Sequence, residues 1–152
     1  MYLKEFIDQY KGRNIKIFVD MDGVIADYDV GKASEYDKKR PLTSSISKLE
    51  VISKLDNIEL FILSVTRKDE GIEQKNYWLN KFAPFFKKEN RNIISKESND
   101  DRPAKELKAN YIKKVNRDNS IIIVIDDDPE VIKEIQKENP DVVLLKDTVL
   151  VD

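Results

Sequence analysis

Five short apolar runs, separated by segments with helical spacing of apolar residues, constrain the fold of this chain more than any other feature. The apolar runs predict buried strands at residues 15–19, 58–63, 92–94, 121–125 and 142–145. Amphipathic helices are predicted around them at residues 2–10, 43–55, 72–82, 103–115 and 129–135. Alternating strands and helices favour a parallel sheet that is covered by helices on both faces. We therefore predict an α/β protein, a three-layer Rossmann-like domain with a mostly parallel five-stranded sheet.

The size and composition of the chain limit its organisation. Its 152 residues, 40% of them hydrophobic and 37% charged, predict a single globular domain over residues 1–152. Cysteine is absent and no apolar run approaches the length of a membrane-spanning helix, so we expect a cytoplasmic protein. A net charge of −2 argues against strong binding to duplex nucleic acid, which depends on many lysine and arginine contacts to phosphates. Histidine is also absent, so acid and base chemistry must come from carboxylates or lysine.

Acidic side chains follow the first and the fourth predicted strands. Asp20 and Asp22 come directly after the first strand, and Gly23 allows the chain to turn there. Residues two apart on a strand project to the same side, so the two carboxylates can converge, and a bound divalent cation would relieve their repulsion. Three more acids, at residues 126–128, follow the fourth strand. The carboxyl ends of parallel strands form the edge of the sheet where ligands bind, so we expect one site there.

Four motifs follow one another along the chain. They are the run Asp-Met-Asp-Gly-Val at 20–24, Ser64 after the second strand, a lysine on the helix before the fourth strand, and Asp126 with Asp127. Together they resemble the haloacid dehalogenase superfamily of phosphotransferases, and the similarity covers residues 15–145. The resemblance implies that Asp20 is a nucleophile that forms an aspartyl phosphate, and that Asp22 is the general acid and base. General acid and base catalysis by Asp22 requires surroundings that keep its carboxyl group protonated part of the time.

The same resemblance implies a Mg²⁺ site. Its expected ligands are Asp20, the backbone carbonyl of Asp22 and Asp126, with Asp127 as the reserve ligand. A hard cation between a carboxylate nucleophile and a phosphate dianion reduces their repulsion. Asp128 has a different expected role, because it stands before a proline at the start of a predicted helix and fits a helix cap.

Polar residues of the second strand are expected to hold the substrate phosphate. The same resemblance implies that the Ser64 hydroxyl donates a hydrogen bond to a phosphate oxygen, and Thr66 is the alternative donor. Arg67 is a candidate for a bidentate clamp on a substrate phosphate. These three residues complete the set of predicted phosphate contacts from this strand.

The family lysine is expected on the helix before the fourth strand, which carries lysines at positions 105, 108, 113 and 114. We assign it to Lys108, which lies eighteen positions before Asp126. That separation is similar to the one in the phosphatase domains of polynucleotide kinases. Lys105, nearer the start of the helix, is the alternative. A lysine there would offset the negative charge of the nucleophile, the phosphate and the metal ligands.

The substrate is expected to be a phosphate monoester of a nucleotide or of a nucleic-acid end. Residues 18–27 are particularly similar to 5'(3')-deoxyribonucleotidases, whereas the lysine helix and the missing cap domain resemble nucleic-acid end phosphatases. Residues 28–42 suffice only for a small flap or minimal cap, which leaves the site open. Four aromatic side chains could stack on a base, although the last of them is predicted to pack in the core: Tyr28, Tyr36, Tyr77 and Trp78.

The function predicted on these grounds is a magnesium-dependent phosphomonoesterase of the haloacid dehalogenase type, and two alternatives stay open. One is a phosphatase of another small phosphorylated metabolite. The other is a receiver-like switch that is phosphorylated without turnover, since receivers also combine acids, a hydroxyl residue and a lysine on a parallel sheet. A receiver carries its phosphorylated Asp after a later strand of the sequence, whereas here Ser95 and Lys96 follow the third strand. The order of the motifs therefore favours the enzyme.

Overall fold

The computed structural model of the protein describes residues 2–28, 35–99 and 101–151. Within these ranges the strands are β1 (Ile15–Val19), β2 (Ile58–Thr66), β3 (Arg91–Ser95), β4 (Ile121–Asp126) and β5 (Val143–Lys146). The α-helices are α1 (Leu3–Gln9), α2 (Thr43–Ser53), α3 (Glu70–Phe82), α4 (Ala104–Lys114) and α5 (Pro129–Glu138). Short 3₁₀ turns lie at Tyr36–Lys38, Lys88–Asn90 and Asp147–Leu150. None of the helices in these ranges is both long enough and apolar enough to cross a membrane.

The strands form one sheet with the order β3-β2-β1-β4-β5, and each neighbouring pair is parallel. Val19 at the end of β1 lies between Ile62 of β2 and Ile125 of β4. The order of the strands reverses between β1 and β4, and such a switch point opens a crevice at the carboxyl ends of the strands. The predicted α/β class with a three-layer, Rossmann-like, five-stranded sheet is confirmed.

Alternate side chains of the strands pack into two cores, one on each face of the sheet. Ile15, Ile17 and Val19 of β1 pack with residues of α1, α2 and α3, whereas Phe18 packs with residues of α4 and α5. Trp78 of α3 is fully buried in the first core, as its amphipathic helix predicts. Because helices cover both faces, the residues that follow β1 and β4 are held on a rigid support.

Several predicted boundaries are wrong by one to three residues. The strand predicted at 58–63 continues to Thr66, because Ser64 and the next two residues pair with β3. Ser64 therefore lies inside β2 and does not follow it. β5 is shifted by one residue, α3 begins two residues earlier, and α5 extends to residue 138. Polar residues continue these elements past the apolar pattern that marks them in the sequence.

The predicted role of Asp128 as the cap of α5 is confirmed, since the Asp128 carboxylate accepts a hydrogen bond from the Glu130 amide at 2.9 Å.

Residues 29–34 of the predicted flap at 28–42 lie outside the described residues. The described end of this segment contains the 3₁₀ turn Tyr36–Lys38 and returns to the loop after β1. The Asp27 amide donates to the Arg40 carbonyl, and the Leu42 amide donates to the Ile25 carbonyl, both at 2.8 Å. This return places residues 36–40 beside the carboxyl edge of the sheet.

Candidate active site

Three carboxylates meet at the carboxyl edge of the sheet, where β1 and β4 are neighbours. The Asp20 amide donates to the Ile125 carbonyl at 3.0 Å, which fixes Asp20 beside Asp126. One oxygen each of Asp20, Asp126 and Asp127 lies within 4.8 Å of the other two. Asp20 and Asp126 are buried and Asp127 is half-buried. The structure thus brings together acids that are more than a hundred positions apart in the sequence.

Lys108 of α4 lies between two of these carboxylates. Its Nζ is 3.0 Å from Oδ1 of Asp20 and 2.7 Å from Oδ2 of Asp126. Lys108 is buried because it belongs to the inward face of α4, together with Leu107 and Ala109. Lys105, one turn earlier, is directed elsewhere, with its Nζ 3.9 Å from Glu130. Of the lysines considered on this helix, the structure places Lys108 in the acid cluster and Lys105 outside it.

The acid cluster carries more negative than positive charge. The pKa of Asp20 is raised to about 7, because burial and, to a smaller extent, the charge of Asp126 together outweigh the opposing effect of the Lys108 ammonium. Burial and the Asp126 charge also raise the pKa of Asp127. Burial alone would lower the pKa of Lys108, but Asp20 and Asp126 outweigh it and the pKa is raised. Three carboxylates facing one ammonium leave two negative charges uncompensated when all four groups are ionised.

These residues fit a bound Mg²⁺. The ion prefers oxygen ligands, and it is commonly held by one or two carboxylates together with water and substrate phosphate. The cluster of Asp20, Asp126 and Asp127 offers such oxygens and a matching excess of negative charge. The Asp22 carboxylate is not part of the cluster. A cation ligand was expected only from its backbone carbonyl, and that assignment stays a prediction.

The Asp22 carboxylate is held by two lysines that the sequence did not single out. Nζ of Lys39 lies 2.7 Å from its Oδ1, and Nζ of Lys75 lies 3.5 Å from its Oδ2. Burial would raise the pKa of Asp22, but Lys75 and Lys39 outweigh it, and the pKa lies below its ordinary value. The expectation that the surroundings keep this carboxyl group partly protonated is wrong, because the residues around it favour the carboxylate.

Ser64 is buried behind the edge of the sheet. Its Oγ accepts a hydrogen bond from Nζ of Lys75 at 2.6 Å, and its side chain does not line the open cavity over the acid cluster. Thr66, two residues further along β2, does line that cavity. Thr66 packs tightly on α3, because a side chain at Gly71 would overlap with its hydroxyl group. Of the two predicted donors, Thr66 is therefore the one on the cavity surface.

An open cavity of about 510 Å³ lies over the acid cluster. Arg67 and Lys96 line it from the ends of β2 and β3, and neither side chain has a hydrogen-bond or ion-pair partner among the described residues. Of the four aromatic candidates, Tyr28 lines the cavity, whereas Tyr36 and Trp78 are buried. The cavity thus has an acidic part over β1 and β4 and a basic part over β2 and β3.

Solved structures resemble this fold, although no known protein-family model and no curated protein matches the sequence. A chain of the Pnkp1/Rnl/Hen1 complex has a TM-score of 0.70 at 16% identity, over 90% of this chain and 46% of that one. A chain of the Pnkp1/Rnl/Hen1 RNA repair complex has a TM-score of 0.68 at 16% identity, over 90% and 43%. The N-terminal part of the protein BF1531 from Bacteroides fragilis, which contains a phosphatase domain complexed with Mg, has a TM-score of 0.58 at 18% identity, over 91% and 37%.

The likeness to these structures concerns the fold. This chain spans less than half the length of each of the three chains. At such identities shared chemistry does not follow from the superposition, because one fold supports many reactions. The neighbours confirm the predicted fold, a three-layer Rossmann-like α/β domain with a parallel five-stranded sheet.

Proposed function

We propose that this protein is a magnesium-dependent phosphomonoesterase of the haloacid dehalogenase type that works through an aspartyl phosphate on Asp20. The proposal is carried by the contact of the Lys108 ammonium with Asp20 at 3.0 Å and Asp126 at 2.7 Å, on the wall of an open cavity. A carboxylate that is fixed in this way and faces a cavity is placed to attack a bound substrate. The likeness of the fold to a phosphatase domain complexed with Mg supports the same class of reaction.

The proposed reaction has two steps, and each conserves atoms and protons. In the first step an oxygen of Asp20 forms a bond to phosphorus, the bond from phosphorus to the ester oxygen breaks, and that oxygen takes a proton from Asp22. In the second step water attacks phosphorus, its proton goes to the Asp22 carboxylate, and the bond from phosphorus to Asp20 breaks. Because Lys39 and Lys75 hold Asp22 as a carboxylate, the proton used in the first step must first be taken up from solvent.

Asp20, Asp126 and Asp127 are the residues that would hold Mg²⁺, with the Asp22 carbonyl as a further predicted ligand. When bound, the cation supplies positive charge that offsets the repulsion between the carboxylate nucleophile and the phosphate. Lys108 supplies a fixed positive charge to the same carboxylates and holds the Asp20 side chain in one orientation. Thr66 and Arg67 on the cavity wall are the proposed contacts of the phosphate oxygens, with Ser64 behind them.

For the substrate, we propose a nucleotide or a nucleic-acid terminal phosphate. Arg67 and Lys96 lie on neighbouring strand ends, since the Lys96 amide donates to the Thr66 carbonyl at 2.9 Å. β3 is the second strand from β1, so Lys96 is displaced from Asp20 by about two strand spacings of roughly 4.8 Å each. That displacement suits a second negative group, such as the next phosphodiester of a nucleic-acid chain. The exposed Tyr28 ring offers a surface on which a base can stack.

The choice of substrate is supported by two further considerations. One structural neighbour belongs to an RNA repair complex, which agrees with a nucleic-acid end as the substrate. Arg67 and Lys96 have no ion-pair partner within residues 2–28, 35–99 and 101–151, and a small phosphorylated metabolite without a second negative group would leave them without a ligand. We therefore rank terminally phosphorylated oligonucleotides first, mononucleotides second and other phosphate esters last.

A phosphate-release assay tests the reaction. The purified protein is incubated with Mg²⁺ or with a chelator and offered phosphorylated oligonucleotides, mononucleotides, phosphosugars, phosphopeptides and an aryl phosphate. We expect release that depends on Mg²⁺ and is abolished by Asp20→Asn, with folding retained, because the amide is nearly isosteric but is not a nucleophile. Asp8→Asn on the exposed face of α1 is the matched control. An active Asp20→Asn variant, or a wild-type protein inactive on the whole panel, would refute the proposal.

A second assay tests the basic part of the cavity. Arg67→Gln should raise KM for a phosphorylated oligonucleotide more than for an aryl phosphate, because only the oligonucleotide carries a second negative group. Lys68→Gln, which changes the exposed neighbour, should leave both values near those of the wild type. Equal effects of Arg67→Gln on both substrates would assign Arg67 to the reacting phosphate and remove the argument for a nucleic-acid substrate.

A further inference from the structure

Two buried lysines that favour the charged form of Asp22 lie behind the cavity. Lys39 is 7% exposed and Lys75 is 3% exposed. Neither side chain lines the cavity, but both contact Asp22, which does. Any effect that they have on a bound substrate must therefore pass through Asp22 or through another residue that they hold.

Lys75 of α3 connects the helix to two other parts of the site. Its Nζ donates to Oγ of Ser64 at 2.6 Å and to the carbonyl oxygen of Val65 at 2.9 Å, and lies 3.5 Å from Oδ2 of Asp22. An ammonium group has three N–H donors; the hydrogen bonds to Ser64 and Val65 use two of them, and the third is left for the ion pair with Asp22. Lys75 thus joins β2 to the loop after β1 and has no donor left for a phosphate.

Lys39 contacts the other oxygen of the same carboxylate. Its Nζ lies 2.7 Å from Oδ1 of Asp22, and its backbone carbonyl accepts a hydrogen bond from Nε1 of Trp78 at 2.9 Å. The Tyr36 ring packs against both ammonium groups, with its centroid 4.7 Å from Nζ of Lys39 and 5.1 Å from Nζ of Lys75. Lys39 is therefore fixed at its backbone and at its charged end.

Packing alone does not account for this arrangement. A buried ammonium loses several kcal/mol of hydration, and apolar residues of similar volume often replace buried ion pairs at no cost in stability. Lys75 lies on the same buried face of α3 as Trp78 and Leu79, where a methionine or leucine side chain would suit the core. What the lysines provide and an apolar residue cannot is a charged contact to each oxygen of Asp22.

We propose that Lys39 and Lys75 are positioning residues for Asp22: they bind its two carboxylate oxygens from behind and fix the direction in which it faces the reacting ester oxygen. The inference rests on the proposed function, in which Asp22 exchanges a proton with that oxygen. The lysines act through Asp22 and do not bind the substrate. Losing either contact leaves Asp22 free to rotate away from the leaving group.

The test compares Lys39→Met and Lys75→Met with the wild type on an alkyl and an aryl phosphate, in the presence of Mg²⁺. For the alkyl phosphate, kcat/KM should fall by about tenfold or more, the size expected for one charge-assisted hydrogen bond. The aryl phosphate should lose less, because its leaving group departs without a proton. Inhibition by orthophosphate should change far less than kcat/KM, since neither lysine lines the cavity.

A double-mutant cycle with Asp22→Asn separates positioning from a structural role. Without the Asp22 carboxylate, adding Lys39→Met or Lys75→Met should cause little further loss of kcat/KM. Lys39→Arg, which keeps a positive charge beside Asp22, should restore part of the loss seen in Lys39→Met. Lys81→Met, on the exposed face of α3, is the matched control. Circular dichroism and thermal unfolding identify folded variants, and Lys39→Met decides the case if Lys75→Met does not fold.

The outcomes separate this inference from the proposed function. A wild-type protein that releases no phosphate from any substrate overturns the proposed function and the inference with it. If the wild type is active, the inference alone is overturned when the lysine variants reduce kcat/KM by the same factor with and without the Asp22 carboxylate. The inference also fails if the variants weaken inhibition by orthophosphate as strongly as they reduce kcat/KM, because that result would make the lysines phosphate ligands.

Discussion

Gly23→Ala is expected to weaken metal binding, because the added methyl group would collide with the Asp127 carboxylate. Gly23 has φ +81°, and a Cβ atom built on it would overlap with Oδ2 of Asp127 and lie 2.6 Å from its Cγ. Real Cβ atoms essentially never approach a neighbour below 3.0 Å, and ordinary contact begins at 3.4 Å. The Asp127 carboxyl carbon must therefore retreat by about 0.4 to 0.8 Å, and its nearer oxygen must move further.

A displacement of this size matters for Mg²⁺, which demands nearly ideal octahedral geometry with oxygen distances of roughly 2.0 to 2.1 Å. Changes that disturb the support of a metal ligand typically cost about 10- to 100-fold in affinity. We expect a loss in that range for Gly23→Ala. The positive φ adds a conformational cost of roughly 1 to 2 kcal/mol in the free energy of unfolding, because a Cβ atom is disfavoured there.

Gly12→Ala is the matched control for this prediction. Gly12 has a similar φ of +85°, but a Cβ atom there would meet nothing within 4 Å. Both variants should therefore lose thermal stability, whereas only Gly23→Ala should weaken Mg²⁺ binding. Isothermal titration calorimetry measures the affinity directly, and the Mg²⁺ concentration that gives half-maximal phosphate release measures it in turnover. Equal Mg²⁺ affinity of Gly23→Ala and wild type would refute the assignment of Asp127 to the metal site.

Three smaller changes test single contacts. Lys108→Ala should lower kcat/KM by about 100-fold or more, the range seen when a preorganised charge is removed, while Lys105→Ala stays near the wild type; the reverse order would move the role to Lys105. Asp128→Ala should reduce the free energy of unfolding by about 1 kcal/mol in chemical denaturation, because α5 loses its cap. The hydrogen bond from Arg117 holds the pKa of Asp141 below its usual range. Its stabilisation is therefore present above the unfolded-state pKa of roughly 3.9 and lost as the pH falls through the lower folded value. Asp141→Asn should thus cost under about 1 kcal/mol at neutral pH for this exposed pair and nothing in strong acid, as measured by thermal unfolding across pH.

The sequence predicted the fold and the meeting of the acids for the same physical reason. Buried parallel strands give continuous apolar runs, and residues that follow such strands must meet at one edge of the sheet. Asp20 and Asp126 could be placed together on that ground alone. The sequence predicts Ser64 after its strand because a polar residue ends the apolar run, whereas β2 continues by pairing its backbone with β3.

The sequence does not identify Lys39 and Lys75 as site residues, because most lysines face solvent. Lys39 belongs to a run of three cations, and runs of this kind usually face water. Lys75 did carry a signal, since it stands three and four positions before Trp78 and Leu79 and thus on the buried face of an amphipathic helix. No local pattern marks Lys39, because its partner Asp22 lies seventeen positions away across a loop.

Trapping the phosphoryl group on the protein tests the central claim most directly. The wild-type protein is mixed with Mg²⁺ and a phosphorylated oligonucleotide, quenched in acid during turnover, reduced with borohydride and examined by mass spectrometry of its peptides. We predict that the side chain of Asp20 is modified, that the label is absent from Asp20→Asn, and that it disappears once the substrate is consumed. Phosphate release without any modified aspartate, or a label on another residue, would contradict the account.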